Sequence, residues 1–317
     1  MPDARHNQAF QLRKAAAVVL LATIYFAAGK FGLALAQIHP SVSLVWPSSG
    51  IALAALLLSG YEFWPGIFLG AFLVNVTTNG SAASALGIAA GNTLEAIVGA
   101  YLVNRVAGGA RVFARPQDVL KFVALAALGS TMVSATCGVT SLSLSGFAHW
   151  EDFRELWLNW WLGDVGGVLV VAPMLLLWST GLRLGWTRAQ ALEALALALS
   201  VVLIGQVVYG GPFGLTTVNL PLSFMCLPLL IWAAFRFGQR EAATVIFMIS
   251  FMAIWGAAHH VGPFVQANPN RSLVLLQLFL GVMAVTTAVL SAMVSERRQV
   301  LEAVSQASDA IGLRLQK

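Results

Sequence analysis

Ten long stretches of this chain contain almost no ionisable residues, and that pattern decides its solvent. Charged residues make up 10% of the sequence against 58% hydrophobic ones, and mean hydropathy is +0.80. A water-soluble domain carries about 25% charged residues, so this chain lacks the polar surface to cover an aqueous fold. Lipid is the solvent that fits. At about 20 residues per crossing plus short loops, about ten crossings account for the length, and no soluble catalytic domain of about 100–150 residues has room.

Breaks rich in polar residues, Gly and Pro separate the apolar runs. They predict helices over about 15–36, 47–59, 62–78, 82–104, 118–143, 156–179, 189–209, 219–236, 241–260 and 271–295, an all-α polytopic transmembrane bundle. The expected organisation is a cytoplasmic N-terminal segment (1–14), a membrane domain (15–296) and a cytoplasmic coupling helix (297–317), the last being the start of a linker to an output domain outside this chain. Arg13-Lys14 and Ala34-Leu35-Ala36 resemble the edges of a signal peptide. The run between them is longer than the usual h-region of about 7–15 residues and contains Lys30, so it reads as a retained helix. The second run is short and opens on Trp46-Pro47, with proline in the first turn, where no backbone donor is needed.

The basic residues orient the bundle. With the N-terminus inside, Arg5, Arg13, Lys14, Arg105, Arg111, Arg115, Arg183, Arg188, Arg236, Arg240, Arg297 and Arg298 all fall on the cytoplasmic side. The outer loops hold Arg154, set among Glu151, Asp152 and Glu155, and Arg271. This asymmetry follows the positive-inside rule. It predicts an even number of crossings with both termini cytoplasmic, and it explains a pI near 9.6 without nucleic acid as a partner. The segment from Ser145 to Trp157 reads either as a short interfacial helix or as an amphipathic loop. Gly211-Pro212-Phe213 and Gly262-Pro263-Phe264 repeat a tripeptide after two outward-ending helices.

Small residues mark where helices pack in lipid. Gly66 and Gly70 form one such pair. Gly87, Gly91, Glu95 and Gly99 share a face at four-residue spacing, with Asn92 beside them. Gly163, Gly166 and Gly167 surround Asp164.

Lys30, Glu95 and Asp164 lie inside predicted spans, where a charge costs about 2.5–3.5 kcal/mol on insertion scales. From the helical rise, Lys30 is ~9 Å and Asp164 ~12 Å from the outer end of its helix. The two residues either form a structural ion pair or line an outward-opening pocket with Asn92 and Glu95. Glu95 lies nearer the midplane, without an evident cation. The ligand-site candidates are therefore Lys30, Asn92, Glu95 and Asp164, with Trp46 and Trp161 as aromatic neighbours, for a small molecule of unidentified class. Trp64, Trp150, Trp157 and Trp160 fit an interfacial belt.

His39, His149, His259 and His260 lie at the outer side and His6 inside, without metal-ligand spacing. Cys137 and Cys226 sit in apolar runs and read as small buried hydrophobes. There is no Gly-x-Ser-x-Gly, no His-Glu-x-x-His and no phosphate-cradling glycine loop. No catalytic residue, metal site or cofactor is expected, and the chain is not expected to be an enzyme.

Trp46-Pro47-Ser48-Ser49-Gly50-Ile51-Ala52-Leu53-Ala54, followed by Trp64-Pro65-Gly66-Ile67-Phe68-Leu69-Gly70-Ala71, resembles the type-one bacterial membrane-associated sensor domain. So do Tyr25 to Gly32, Gly91-Asn92-Thr93-Leu94-Glu95-Ala96, Trp160-Trp161-Leu162-Gly163-Asp164, Trp232 to Gly238 and Gly262-Pro263-Phe264. Ser48 stands where that family often has a second proline. The resemblance runs from about residue 15 to 296. It implies an input module of a histidine kinase or a cyclic di-GMP enzyme in the bacterial inner membrane, and it implies no particular ligand. Val294, Leu301, Val304, Ser308, Ile311 and Leu315 form a short heptad-like stripe, interrupted by Gly312, that suits a parallel homodimer or a tail lying on the membrane. The competing expectation is a secondary transporter or channel, since a broken span and buried charges also suit transport.

Overall fold

The computed structural model describes residues 2–35, 43–78, 80–180, 185–210 and 222–315, and these are all-helical. The helices in chain order are α1 (Pro2–Ala34), α2 (Pro47–Ser59), α3 (Trp64–Val76), α4 (Ala82–Val106), α5 (Pro116–Phe122), α6 (Thr131–Leu144), α7 (Phe153–Ser179), α8 (Arg188–Tyr209), α9 (Leu227–Arg236), α10 (Gln239–Ala258) and α11 (Pro269–Leu315). A π-helical stretch, Val123–Ser130, joins α5 to α6 without a break. Among the described residues, seven segments are long and apolar enough to span a membrane; α2, α3 and α9 are shorter apolar helices. The chain is thus a polytopic helical membrane bundle.

Several boundaries differ from expectation. α1 begins at Pro2 and so absorbs the predicted N-terminal segment. Ser145–Trp157 is not a separate interfacial helix: a single turn, Trp150–Asp152, leads straight into α7. Trp150 stacks on Phe153 there, 5.8 Å between ring centres. α11 continues through residue 296 to Leu315 as one helix of 47 residues. Residues 219–221 of the eighth predicted helix, together with His39, Arg183 and Gly211-Pro212-Phe213, lie outside the described residues.

Glycines set the helix spacing. Beta-carbons on Gly66 and Gly70 would fall 2.7 and 2.8 Å from the Val18 and Ala22 carbonyl oxygens, so α3 lies directly on α1. The glycine face of α4 packs on α6 and the π stretch, with Gly87 against Ser141, Gly91 against Cys137 and Gly99 against Ser130. Gly163, Gly166 and Gly167 of α7 receive Ser43, Val45 and Trp46.

That last contact accounts for the short α2. Its 13 residues measure about 20 Å, less than the hydrocarbon thickness of about 30 Å, so non-helical chain must enter the membrane ahead of it. Irregular backbone is tolerated there only when protein covers it. Ser43, Leu44 and Val45 are buried, and their polar groups are used. Trp46 N–H donates to Gly163 O (2.9 Å), Ser43 Oγ donates to Gly32 O (2.6 Å) and Val45 O (2.8 Å), and Gln277 of α11 donates to Leu44 O.

At the end that the basic loops assign to the cytoplasm, Lys14 pairs with Glu62, Arg236 with Glu193 at 2.7 Å, and Arg298 donates to the Phe235 and Phe237 carbonyls. Elements predicted to end on one side therefore do meet there. In the second half, Tyr209, Phe264 and Phe279 stack between α8 and α11, with ring centres 5.0–6.5 Å apart. Gly262, at φ +100°, turns the chain so that Phe264 can enter this stack.

Candidate functional site

Buried polar groups from five helical elements converge in the first half of the bundle, the half-buried Trp46 contributing its enclosed indole nitrogen. α1 contributes Tyr25, the N-terminus of α2 Trp46 and Ser49, α4 Asn92 and Glu95, α6 Ser134, and α7 Trp160 and Asp164. Asp164 and Tyr25 are fully buried, Glu95 and Asn92 are 3% exposed, and Ser134 is 1% exposed. Ser49 Oγ donates to Asp164 Oδ1 (3.0 Å), Ser134 Oγ to Asn92 Oδ1 (3.0 Å), and Trp160 Nε1 to Ser134 Oγ (3.1 Å). Asn92 Nδ2 turns back to Ile88 O (3.1 Å). Ser49 and Ser134 lie within reach of both carboxyl groups, and the two acids interact electrostatically.

The local folding follows from small residues. A β-carbon on Gly138 would strike the Trp160 ring at 2.6 Å, so glycine lets α6 admit the indole. Gly50 and Gly167 bring the α2 and α7 backbones together, which carries Ser49 to Asp164. Ser48, one residue earlier, donates to Tyr25 O (3.1 Å) and ties α1 to the same turn.

Hydrogen bonding in the cluster is incomplete on both sides. Glu95 Oε2 and Asp164 Oδ2 receive no donor, and Tyr25 OH and Trp46 Nε1 reach no acceptor. The Tyr25 hydroxyl approaches the Trp46 indole and lies within electrostatic range of both carboxyl groups. Buried polar atoms of this kind usually find partners.

Of the residues singled out from the sequence, the fold brings Trp46, Asn92, Glu95 and Asp164 together and leaves Lys30 and Trp161 outside. Lys30 does not meet Asp164. Its Nζ donates to Thr77 O (3.0 Å) and Thr78 Oγ1 (2.9 Å), at the C-terminus of α3, where the free carbonyls favour a cation. Trp161 points the other way around α7, donating to Leu128 O (3.0 Å) in the π stretch and stacking on Trp157. Its neighbour Trp160 takes the place in the cluster. Tyr25, Ser49, Ser134 and Trp160 were not expected there; Tyr25, Ser49 and Trp160 stood inside motifs already noted, which was the available signal.

Lys30→Ala is accordingly expected to cost only about 0.5–1 kcal/mol, the worth of a partly exposed helix-end contact. Thermal denaturation in detergent would check this. A loss comparable to that of a buried-acid variant would show that Lys30 belongs to the cluster after all.

Among the described residues, no group of three His, Cys, Asp or Glu is placed to hold a metal. Cys226 is buried near the Tyr209 hydroxyl (3.6 Å), Cys137 lies against Gly91, and both are free thiols. His259 Nδ1–H donates to Trp255 O (2.8 Å), and its imidazole lies against the Trp255 ring.

A family model, MASE1 (membrane-associated sensor 1), matches residues 17–298, nearly the whole chain. No match was found among curated proteins or among solved structures.

Proposed function

Because the chain belongs to the MASE1 family of membrane-associated sensor domains, we propose that it is an inner-membrane input module in which a change at the five-helix polar cluster is passed along α11 to a cytoplasmic output domain, a histidine kinase or a cyclic di-GMP enzyme. Catalysis, on this reading, belongs to the output domain.

The observation that carries the proposal is the construction of α11. Its 47 residues measure about 70 Å, whereas about 20 residues suffice to cross the bilayer. The same helix holds the Leu44 carbonyl through Gln277, two residues before Trp46, and touches α7 through Asn270, whose Oδ1 accepts from Asn159 (2.9 Å). Movement of Trp46 or α7 therefore has a direct route to a rod that leaves the membrane. Val300, Leu301 and Val304 on that rod are 57–62% exposed, an apolar stripe suited to parallel pairing of two protomers.

The test is a fusion of a diguanylate cyclase or kinase domain after Lys317. Glu95→Gln and Asp164→Asn are each expected to shift its output at unchanged protein level in the membrane. Output identical to the parent in both variants would remove the cluster from the signalling route.

A further inference from the structure

We infer that the Glu95–Asp164 cluster binds a small cation, either a proton or a monovalent metal ion, between the two carboxyl groups. This deepens the sensor proposal, resting on it only for the consequence of binding and not for binding itself.

Two carboxyl groups share the neighbours Ser49 and Ser134 in a region closed to solvent. Unpaired buried charge is among the costliest arrangements in a protein. No basic side chain among the described residues offsets it. Lys30 is held at the end of α3, and Arg105 and Arg154 are exposed at helix ends. The titratable group near the pair from packed elements is Tyr25 on α1; Cys137 on α6 lies against Gly91, one turn of α4 from Glu95, and the described parts of α2 and α3 bring none.

A second, independent observation points to a ligand. Tyr25 is fully buried with its hydroxyl unpartnered and within electrostatic range of both acids. Glu95 Oε2, Asp164 Oδ2 and the tyrosine oxygen are the kind of hard oxygen donors that small cations take, and they come from three helices, α4, α7 and α1. Trp160, Ile88 and Gly50 pack the surroundings tightly, which favours a proton or a dehydrated ion over an organic amine. Binding would draw α4 and α7 toward each other, and α7 carries the Trp46 segment with it through Gly163 O.

The experiment is infrared difference spectroscopy on the full chain in nanodiscs. Sodium, lithium or potassium chloride is exchanged against N-methylglucamine chloride at constant ionic strength, and in a separate series pH is stepped at constant salt. If a metal ion binds, its addition converts a carboxylic acid C=O band into carboxylate bands, and its apparent Kd shifts by about tenfold per pH unit, as one-for-one exchange with a proton requires. If the proton alone is the cation, the same bands respond to pH and not to salt. In either case the bands are lost in Glu95→Gln combined with Asp164→Asn, with monodisperse elution showing that the variant is folded. Bands that respond to neither series in the parent chain overturn the inference, and so does a response that survives in the double variant. Because no output domain is involved, a failed fusion experiment with intact cation bands would count against the signalling route alone.

Discussion

Gly167→Ala is expected to prevent the chain from reaching its folded state in quantity. The added β-carbon would lie 1.9 Å from the Trp46 carbonyl oxygen and 2.7 Å from its carbon. Overpacking commonly costs about 1–3 kcal/mol when side chains can give way. Here the neighbour is backbone, and it has nowhere to go. Trp46 N–H is bound to Gly163 O, while a β-carbon on Gly50 would sit 2.4 Å from Gly167 O, so α2 and α7 are pressed together from both sides. The expected cost is about 3 kcal/mol or more, a large share of a total stability of about 5–15 kcal/mol. Size-exclusion profile and melting temperature in detergent measure it, with Gly185→Ala as the comparison, since nothing lies within 4 Å of a β-carbon there. A Gly167→Ala variant that elutes and melts like the parent would mean that α2 does not start where the structure places it.

Gln277→Leu is expected to leave a folded chain whose output no longer follows the polar cluster. Leucine keeps most of the side-chain volume but donates nothing, so the buried Leu44 carbonyl loses its donor from α11. Stranding a buried acceptor costs about 1–3 kcal/mol, which a bundle with many other contacts to α11 survives. What it loses is the polar tie between the Ser43–Trp46 segment and the rod. In the fusion, output is expected to settle at one level that neither Glu95→Gln nor Asp164→Asn moves by more than about a tenth of its effect in the parent, which corresponds to a loss of about 1.4 kcal/mol or more of coupling.

Much of this architecture was readable from residue spacing. The glycines of α4 recur every four residues, which fixes a face, and that face meets α6. Glu95 and Asp164 stood out because charge is rare inside an apolar run. The sequence could not supply azimuth. Depth estimates put Lys30 and Asp164 at similar levels, yet Lys30 turns toward the end of α3 while Asp164 turns toward α2. Trp160 and Trp161 are neighbours in sequence but point about 100° apart around a helix with 3.6 residues per turn, and it is Trp160 that reaches Ser134. Tyr25 and Ser49 stand inside the quoted motifs, but Ser134 carries no warning, because hydroxyl side chains inside spans commonly bond to their own helix, as Thr93 does to Ala89 O (2.7 Å). The unbroken course of α11 was hidden by the basic pair Arg297-Arg298, which reads as the end of a span and lies in fact partway along one helix.

The most direct test of the account is a double-mutant cycle on the fused output, using Asp164→Asn, Gln277→Leu and the two together. If the cluster signals through α11, the effect of Asp164→Asn disappears in the Gln277→Leu background, and the double variant gives the output of Gln277→Leu alone. If the two effects simply add, the cluster and the rod act independently, and the route from Asp164 through Trp46 and Gln277 to the cytoplasm is wrong.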